Sequence, residues 1–158
     1  MNAPINIIPA TEAHERFILD SFVREYSKAP YARGATWKRL ADQLKVFLAC
    51  PSWDCDVAVA PEDPDEIMGY LIHRGTTCAA WLHVKSIYRT VGVARALLDY
   101  AQMDSEVLCQ FVTPKAIAIA TANGMTLRFR PMLHYAALDE IEELATVSET
   151  GKSNERTA

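Results

Sequence analysis

No uninterrupted apolar run in these 158 residues approaches the ~20 needed to cross a bilayer, so no helical membrane span is expected. Met1-Asn2-Ala3-Pro4 lacks the cationic stretch followed by an apolar one that marks a secretory leader, and a cytoplasmic location is the expectation. Four cysteines (Cys50, Cys55, Cys78, Cys109) form no Cys-x-x-Cys pair and have no histidine at zinc-finger spacing. No metal site is expected, and the cysteines read as reduced core residues. Positive charge is also scarce, with 16 Lys and Arg against 20 Asp and Glu and a net charge of −4. The molecule thus lacks the broad positive field of a nucleic-acid binder, leaving only local basic pairs at Lys38/Arg39 and Arg128/Arg130. There is no Gly-Lys-Ser/Thr phosphate loop, no three-glycine dinucleotide fingerprint and no internal repeat.

What is there is an ordinary globular composition, half apolar and 23% charged, at a length suited to one domain. Asn6–Pro9 predicts a short strand. Thr11 can cap a helix with Glu12 in its first turn, and Phe17, Ile18, Phe22 and Tyr26 keep helical spacing. The segment Ser27–Gly34 breaks it. Thr36 caps a second helix, with Trp37, Leu40, Ala41, Leu44, Phe47 and Leu48 on one face and Pro51 at its end. Strands follow at Asp54–Ala60, Glu66–Arg74 and Cys78–Lys85, the first with Cys55, Val57 and Val59 on one side. Ser86–Val91 reads as a loop, Gly92–Met103 as a helix and Val107–Val112 as a central strand. Pro114 opens a helix that Asn123-Gly124 stops. A last strand at Thr126–Leu133, a helix at 136–146 and a mobile polar tail at 147–158 complete the chain. Three antiparallel strands followed by a βαβ unit argue for one mixed sheet covered on both faces, with 1–146 as a single domain.

The most informative stretch runs from Leu82 to Leu98, out of a strand, through a short loop and into a helix. A helix start offers unpaired N–H groups and the positive end of a dipole, hence a seat for phosphate. Gly92 and Ala94 keep bulk away from that seat. By itself such a junction is only suggestive. Arg89, Gly92 and Ala94, however, fill the Arg/Gln-x-x-Gly-x-Gly/Ala places, Leu82, Val84 and Tyr88 match the approach, and Ala96-Leu97-Leu98 the helix. The block resembles motif A of the GCN5-related N-acetyltransferases (GNAT), and the resemblance covers roughly residues 5–133.

That resemblance implies an α/β (α+β) fold with a mixed, mainly antiparallel sheet of six to seven strands and helices on both faces. It implies acetyl-CoA as cofactor. Backbone around Leu82 and Val84 would pair with the pantetheine amides, and the N–H groups of Arg89, Thr90, Val91, Gly92, Val93 and Ala94 would hold the pyrophosphate. Strands 4 and 5 would splay around the thioester, its carbonyl polarised by a backbone N–H, while a primary amine attacks directly.

The pattern also departs from the family. Cys78 and Ala80 stand where a general base is common, Ala120 where a tyrosine acid is common, and Thr113 where an asparagine touches pantetheine. The final hairpin is curtailed to one strand. His73, Cys78 and Tyr31 are the catalytic candidates, with Tyr70, His83 and Cys109 as further substitutes. Strict alternation puts His83 on the face opposite Cys78, Ala80 and Val84, so it reads as a packed or exposed histidine. Tyr26, Tyr31 and Arg33 lie where an acceptor would be contacted, with Glu25 to attract its ammonium; His134-Tyr135 reads as an anchor. The resemblance points to an enzyme, an acetyltransferase acting on an amine, with a homodimer left open. A fold that binds CoA or a protein without catalysis is the alternative. A nucleic-acid modifier akin to small phage proteins is opposed by the acidic charge.

Overall fold

The computed structural model describes residues 4–154. β1 (Asn6–Pro9) leads into α1 (Glu12–Tyr26), where the backbone N–H of Thr11 donates to His14 Nδ1 at 3.0 Å. A single 3₁₀ turn at Pro30–Ala32 separates α1 from α2 (Trp37–Ala49), whose first turn is capped by Arg39 N donating to Thr36 Oγ1 at 3.2 Å. Then come β2 (Asp54–Ala60), β3 (Asp63–Arg74), β4 (Cys78–Val84), α3 (Val93–Tyr100), β5 (Glu106–Cys109), α4 (Pro114–Ala122), β6 (Thr126–Phe129) and α5 (Leu133–Asn154). All six strands form one sheet in chain order, β1-β2-β3-β4-β5-β6. β1 to β4 are antiparallel to one another, and β5 and β6 run parallel to β4.

Element ends differ from the sequence reading in instructive places. β3 starts at Asp63, opposite Ala60, so Pro61 and Glu62 alone make the turn expected to span 61–65. β5 stops at Cys109 rather than Val112, and β6 at Phe129 ahead of Pro131 and of Met132, whose φ is 66°. The helix expected at 136–146 runs from Leu133 to Asn154. Residues 1–3 and 155–158 lie outside the described residues.

Two apolar layers flank the sheet. On one face Phe22, Leu40, Leu44 and Phe47 of α1 and α2, with Ala137 of α5, pack on Val57, Tyr70, Ile72, Trp81 and Phe111. Phe22, Phe47 and Tyr70 are fully buried, each on the order of 1.5–3 kcal/mol of burial energy. On the other face Val93, Leu97 and Leu98 of α3 cover Ala58, Met68, Leu71 and Val84. Gly69 of β3 is small by necessity, because a Cβ there would sit 2.5 Å from the backbone oxygen of His83 and 3.1 Å from a Val93 methyl. The first turn of α3 therefore seats close on the sheet.

Candidate functional site

β4 and β5 pair only at Cys78–Leu108 and Ala79–Cys109. Beyond these two pairs the strands part, and the gap opens a cleft of about 620 Å³. Ala79–Val84 form one wall; Cys109, Phe111, Thr113 and the small residues Ala116, Ala118 and Ala120 of α4 form much of the other. Lys85 N donates to Met68 O at 2.9 Å, so Lys85 turns its backbone toward β3. Alternation along an antiparallel ladder then turns the N–H and C=O of Leu82 and Val84 away from β3 and into the gap. Val84 O already meets Arg89 Nε there at 3.4 Å.

The cleft is lined from both faces of the sheet. At the α3 side lies the loop 85–92. Its entry is held by Glu66 of β3, whose Oε1 accepts from Lys85 Nζ (2.9 Å) and Tyr88 OH (3.1 Å). Gly92 occupies the left-handed region (φ 89°, ψ 11°) immediately before α3, a conformation that costs a residue with a Cβ ~1–2 kcal/mol. The first intrahelical bond runs from Ala96 N to Gly92 O at 2.9 Å, which leaves the N–H groups of Val93, Ala94 and Arg95 without a helical acceptor. Val93 buries its side chain in the core and offers only backbone. The loop thus combines a donor-rich helix start, an exposed Arg89 and no bulk at Gly92. These features suit a pyrophosphate.

At the opposite face the cleft is lined by Glu25, Lys28, Ala29, Pro30, Trp81 and His83. The His83 ring stacks on Tyr70 (centroids 5.5 Å apart) and meets Phe17 edge-on at 6.0 Å. Its nitrogens have no hydrogen-bond partner among the described residues. Burial pushes its pKa down to about 4, against the pull of Glu25 and with help from Lys115, Arg89 and Arg24, so the ring is neutral near pH 7. The Glu25 carboxylate lies 3.3 Å from Lys28 Nζ and 3.8 Å from Lys115 Nζ. Partial burial acts to raise its pKa, but the two ammonium groups outweigh that and hold it below the usual range. Lys115 is lowered, first by burial and then by Arg89 and Lys28, with Glu25 opposing.

Among the sequence-predicted residues, Leu82, Val84, Arg89, Ala94 and Thr113 line the cleft. Thr113 is also the N-cap of α4, its Oγ1 accepting from Ala116 N at 3.1 Å. His73 does not line it: Nδ1 donates to Gly75 O and Nε2 meets Asp56 Oδ2, both at 2.9 Å, beneath the sheet surface. Cys78 is buried outside the cleft, with Thr77 Oγ1 3.8 Å from its sulfur. Tyr70 places its hydroxyl under α1, donating to Ile18 O at 2.9 Å. Tyr26 joins the aromatic cluster, 4.9 Å from Phe111 and 6.0 Å from Trp81. Arg33 is exposed and away from the lining, and the Tyr31 side chain lies outside what the structure describes. Cys109 lines the wall as a neutral thiol, burial raising it to about 11. His134 bonds Gln110 Oε1 at 3.0 Å, tying α5 to the end of β5.

His83 is where the sequence reading needs correction. Ile72 pairs with Trp81 but His73 with Ala79, so Ala80 is an extra residue in β4. This bulge puts His83 on the same face as Cys78 and Ala80, and Val84 on the other. Lys28 and Lys115 were also not singled out. The signal for Lys115 was present: a cation directly after a helix-opening proline stands against the helix dipole.

No family model and no curated protein sequence matches the chain. Solved structures do. A possible acetyltransferase from Clostridium difficile 630 superposes with a TM-score of 0.54 at 14% identity, over 80% of this chain and 93% of its own. An acetyltransferase of Trypanosoma brucei does so at 0.50 and 15%, over 82% and 97%, and a probable acetyltransferase at 0.50 and 17%, over 86% and 87%. The chain has the fold of the GNAT acetyltransferases.

Proposed function

We propose that this chain is an acyltransferase that moves an acetyl group from acetyl-CoA to a primary amine within a ternary complex. The observation that carries the reading is the cleft itself: a passage between β4 and β5 joins a phosphate-suited loop on one face to His83 and Glu25 on the other. Acetyl-CoA would enter from the α3 face, its pyrophosphate on Arg89 and the N–H groups from Gly92 to Arg95. Its pantetheine arm would pair with the gap-facing backbone edge of Leu82 and Val84, taking the place of Arg89 Nε on Val84 O, and Thr113 would reach it from the opposite wall. The acyl group would then lie in the gap, shielded by Ala80, Trp81 and Phe111.

The amine would arrive from the α1 face. Glu25 attracts its ammonium, and the neutral His83 ring accepts the proton that must leave before nitrogen can attack. A C–N bond forms as the C–S bond breaks; the departing thiolate takes up one proton, and one proton is released overall. Ala120 supplies no hydroxyl, so the thiolate is protonated from water. General acid–base help reaches about 10²–10⁴-fold when the group titrates near the working pH; His83, held at about 4, is a weak base that passes its proton on to water, which makes a modest enzyme. His83 takes the role first considered for His73 and Cys78, because it alone of the three faces the cleft.

A CoA-binding protein without chemistry is the second reading, favoured by Ala120 and by the buried Cys78. Thiol release from acetyl-CoA over an amine panel separates the two. Amine-dependent release that falls at least ~10-fold in His83→Ala supports the enzyme; tight CoA binding with no release from any amine supports the binder.

A further inference from the structure

Lys28, Glu25 and Lys115 form a row across the acceptor mouth, two ammonium groups sharing one carboxylate at 3.3 and 3.8 Å. The row unites three elements: the end of α1, the loop after it and the first turn of α4. Charge does not balance there. One carboxylate against two lysines leaves one positive charge, and Arg89 and Arg24 act on His83 in the same sense. Each ammonium has three donors; Lys28 spends one on Glu25 at 3.3 Å, and Lys115 only approaches the carboxylate at 3.8 Å. Both lysine side chains remain half to two-thirds open to solvent (44% and 65%), so those donors are reachable. Lys115 also stands in the first turn of α4, where the dipole is positive and a cation is disfavoured. In that turn Pro114 has no N–H and Ala116 N is taken by Thr113 Oγ1, so the Lys115 N–H is left without a helical acceptor. An anion placed between Lys28 and Lys115 relieves all of this at once.

We infer that the acceptor is a small amine carrying its own carboxylate a few bonds away, an α-amino acid or the acidic N-terminus of a peptide. Its ammonium sits on Glu25 beside His83, and its carboxylate bridges Lys28 and Lys115. Polycations such as polyamines are disfavoured by the same row, since they present several ammonium groups to a mouth that already holds a surplus. This rests on the proposed acetyl transfer and names its acceptor class.

The test uses the full chain loaded with CoA, so that binding is read apart from turnover. Calorimetric titrations compare alanine and glutamate with ethylamine and spermidine, which carry no carboxylate, and a Glu-initiated tripeptide distinguishes peptide from free amino acid. The expected result is binding of alanine, glutamate or the tripeptide at least ~10-fold tighter than ethylamine, as for a contact to a charged group. Lys28→Gln with Lys115→Gln should erase that preference while CoA affinity stays within about threefold, because neither lysine belongs to the phosphate seat. Ethylamine or spermidine binding as well as the amino acids, or a preference that survives the double substitution, overturns the inference. If the tripeptide alone binds, the acceptor is a peptide N-terminus and the inference stands. Failure of the functional reading has another signature: CoA itself does not bind, and the acceptor titrations are then repeated without it, where equal binding of all amines overturns the inference as well.

Discussion

Ala80 and Trp81 are consecutive residues of β4, yet both are buried in the same core beneath α1 and α2. The extra residue inverts the alternation of everything after it, so Trp81 and His83 join Cys78 on the α1 face while Val84 packs toward α3. One residue of slippage thus decides whether the histidine of β4 meets the α1 side of the cleft or the α3 layer.

His83, half-buried and without a hydrogen-bond partner among the described residues, gives a pH signature in stability. Its folded pKa of about 4 lies below the ordinary 6.5. Between those values the unfolded chain binds a proton that the folded chain refuses, so stability falls as pH drops through that window. His83→Gln should flatten the fall, measured by urea unfolding at several pH values from 7 to 4.5. An unchanged slope contradicts the burial argument. No His83 titration should appear in kcat/KM between pH 6 and 8.

Gly69→Ala tests how closely α3 and the loop seat on the sheet. The new methyl would lie 2.5 Å from His83 O, a backbone atom that cannot rotate aside. A loss of roughly 1–3 kcal/mol is expected from overpacking, with weakened CoA binding beside it. Thermal or urea unfolding reads the first and calorimetry the second; a neutral substitution would mean the strands part there without cost.

Much of the fold was legible because its signals are local. Thr36, Pro114 and Asn123-Gly124 mark helix ends by chemistry that acts within a few residues. The backbone of the loop before α3 was legible for the same reason, since Gly92 sets its own left-handed conformation there. The acceptor side was not. Its geometry depends on a bulge that no residue type announces at Ala80, and on Glu25 meeting Lys115 from a distant part of the sequence. His73 looked available as a strand residue; only the pairing of β2 with β3 brings Asp56 to occupy it.

Cys109 borders the splay, yet its thiol is held protonated by burial, with a pKa of about 11. It should resist iodoacetamide at pH 7.5 in the folded protein and react on unfolding, because the thiolate is the reactive form. Cys109→Ala should leave acetyl transfer within about threefold. Loss of activity there would point to a covalent acyl-enzyme in place of direct attack.

Glu66 holds Lys85 and Tyr88 at the entry of the phosphate loop. Glu66→Ala should weaken CoA binding severalfold with little change in Tm, because these contacts are only half-buried and their effect is to order a loop. Equal affinity in the variant would show that the loop needs no such tether.

The most direct measurement is calorimetric titration of CoA into the wild-type chain and into Gly92→Glu, with circular dichroism to confirm that the variant folds. A cleft built for this cofactor should bind CoA at micromolar concentrations. The substitution should abolish binding by placing a carboxylate and a strained backbone where the pyrophosphate belongs. No binding to the wild type at tens of micromolar, or binding that Gly92→Glu leaves unchanged, would contradict the assignment of the loop.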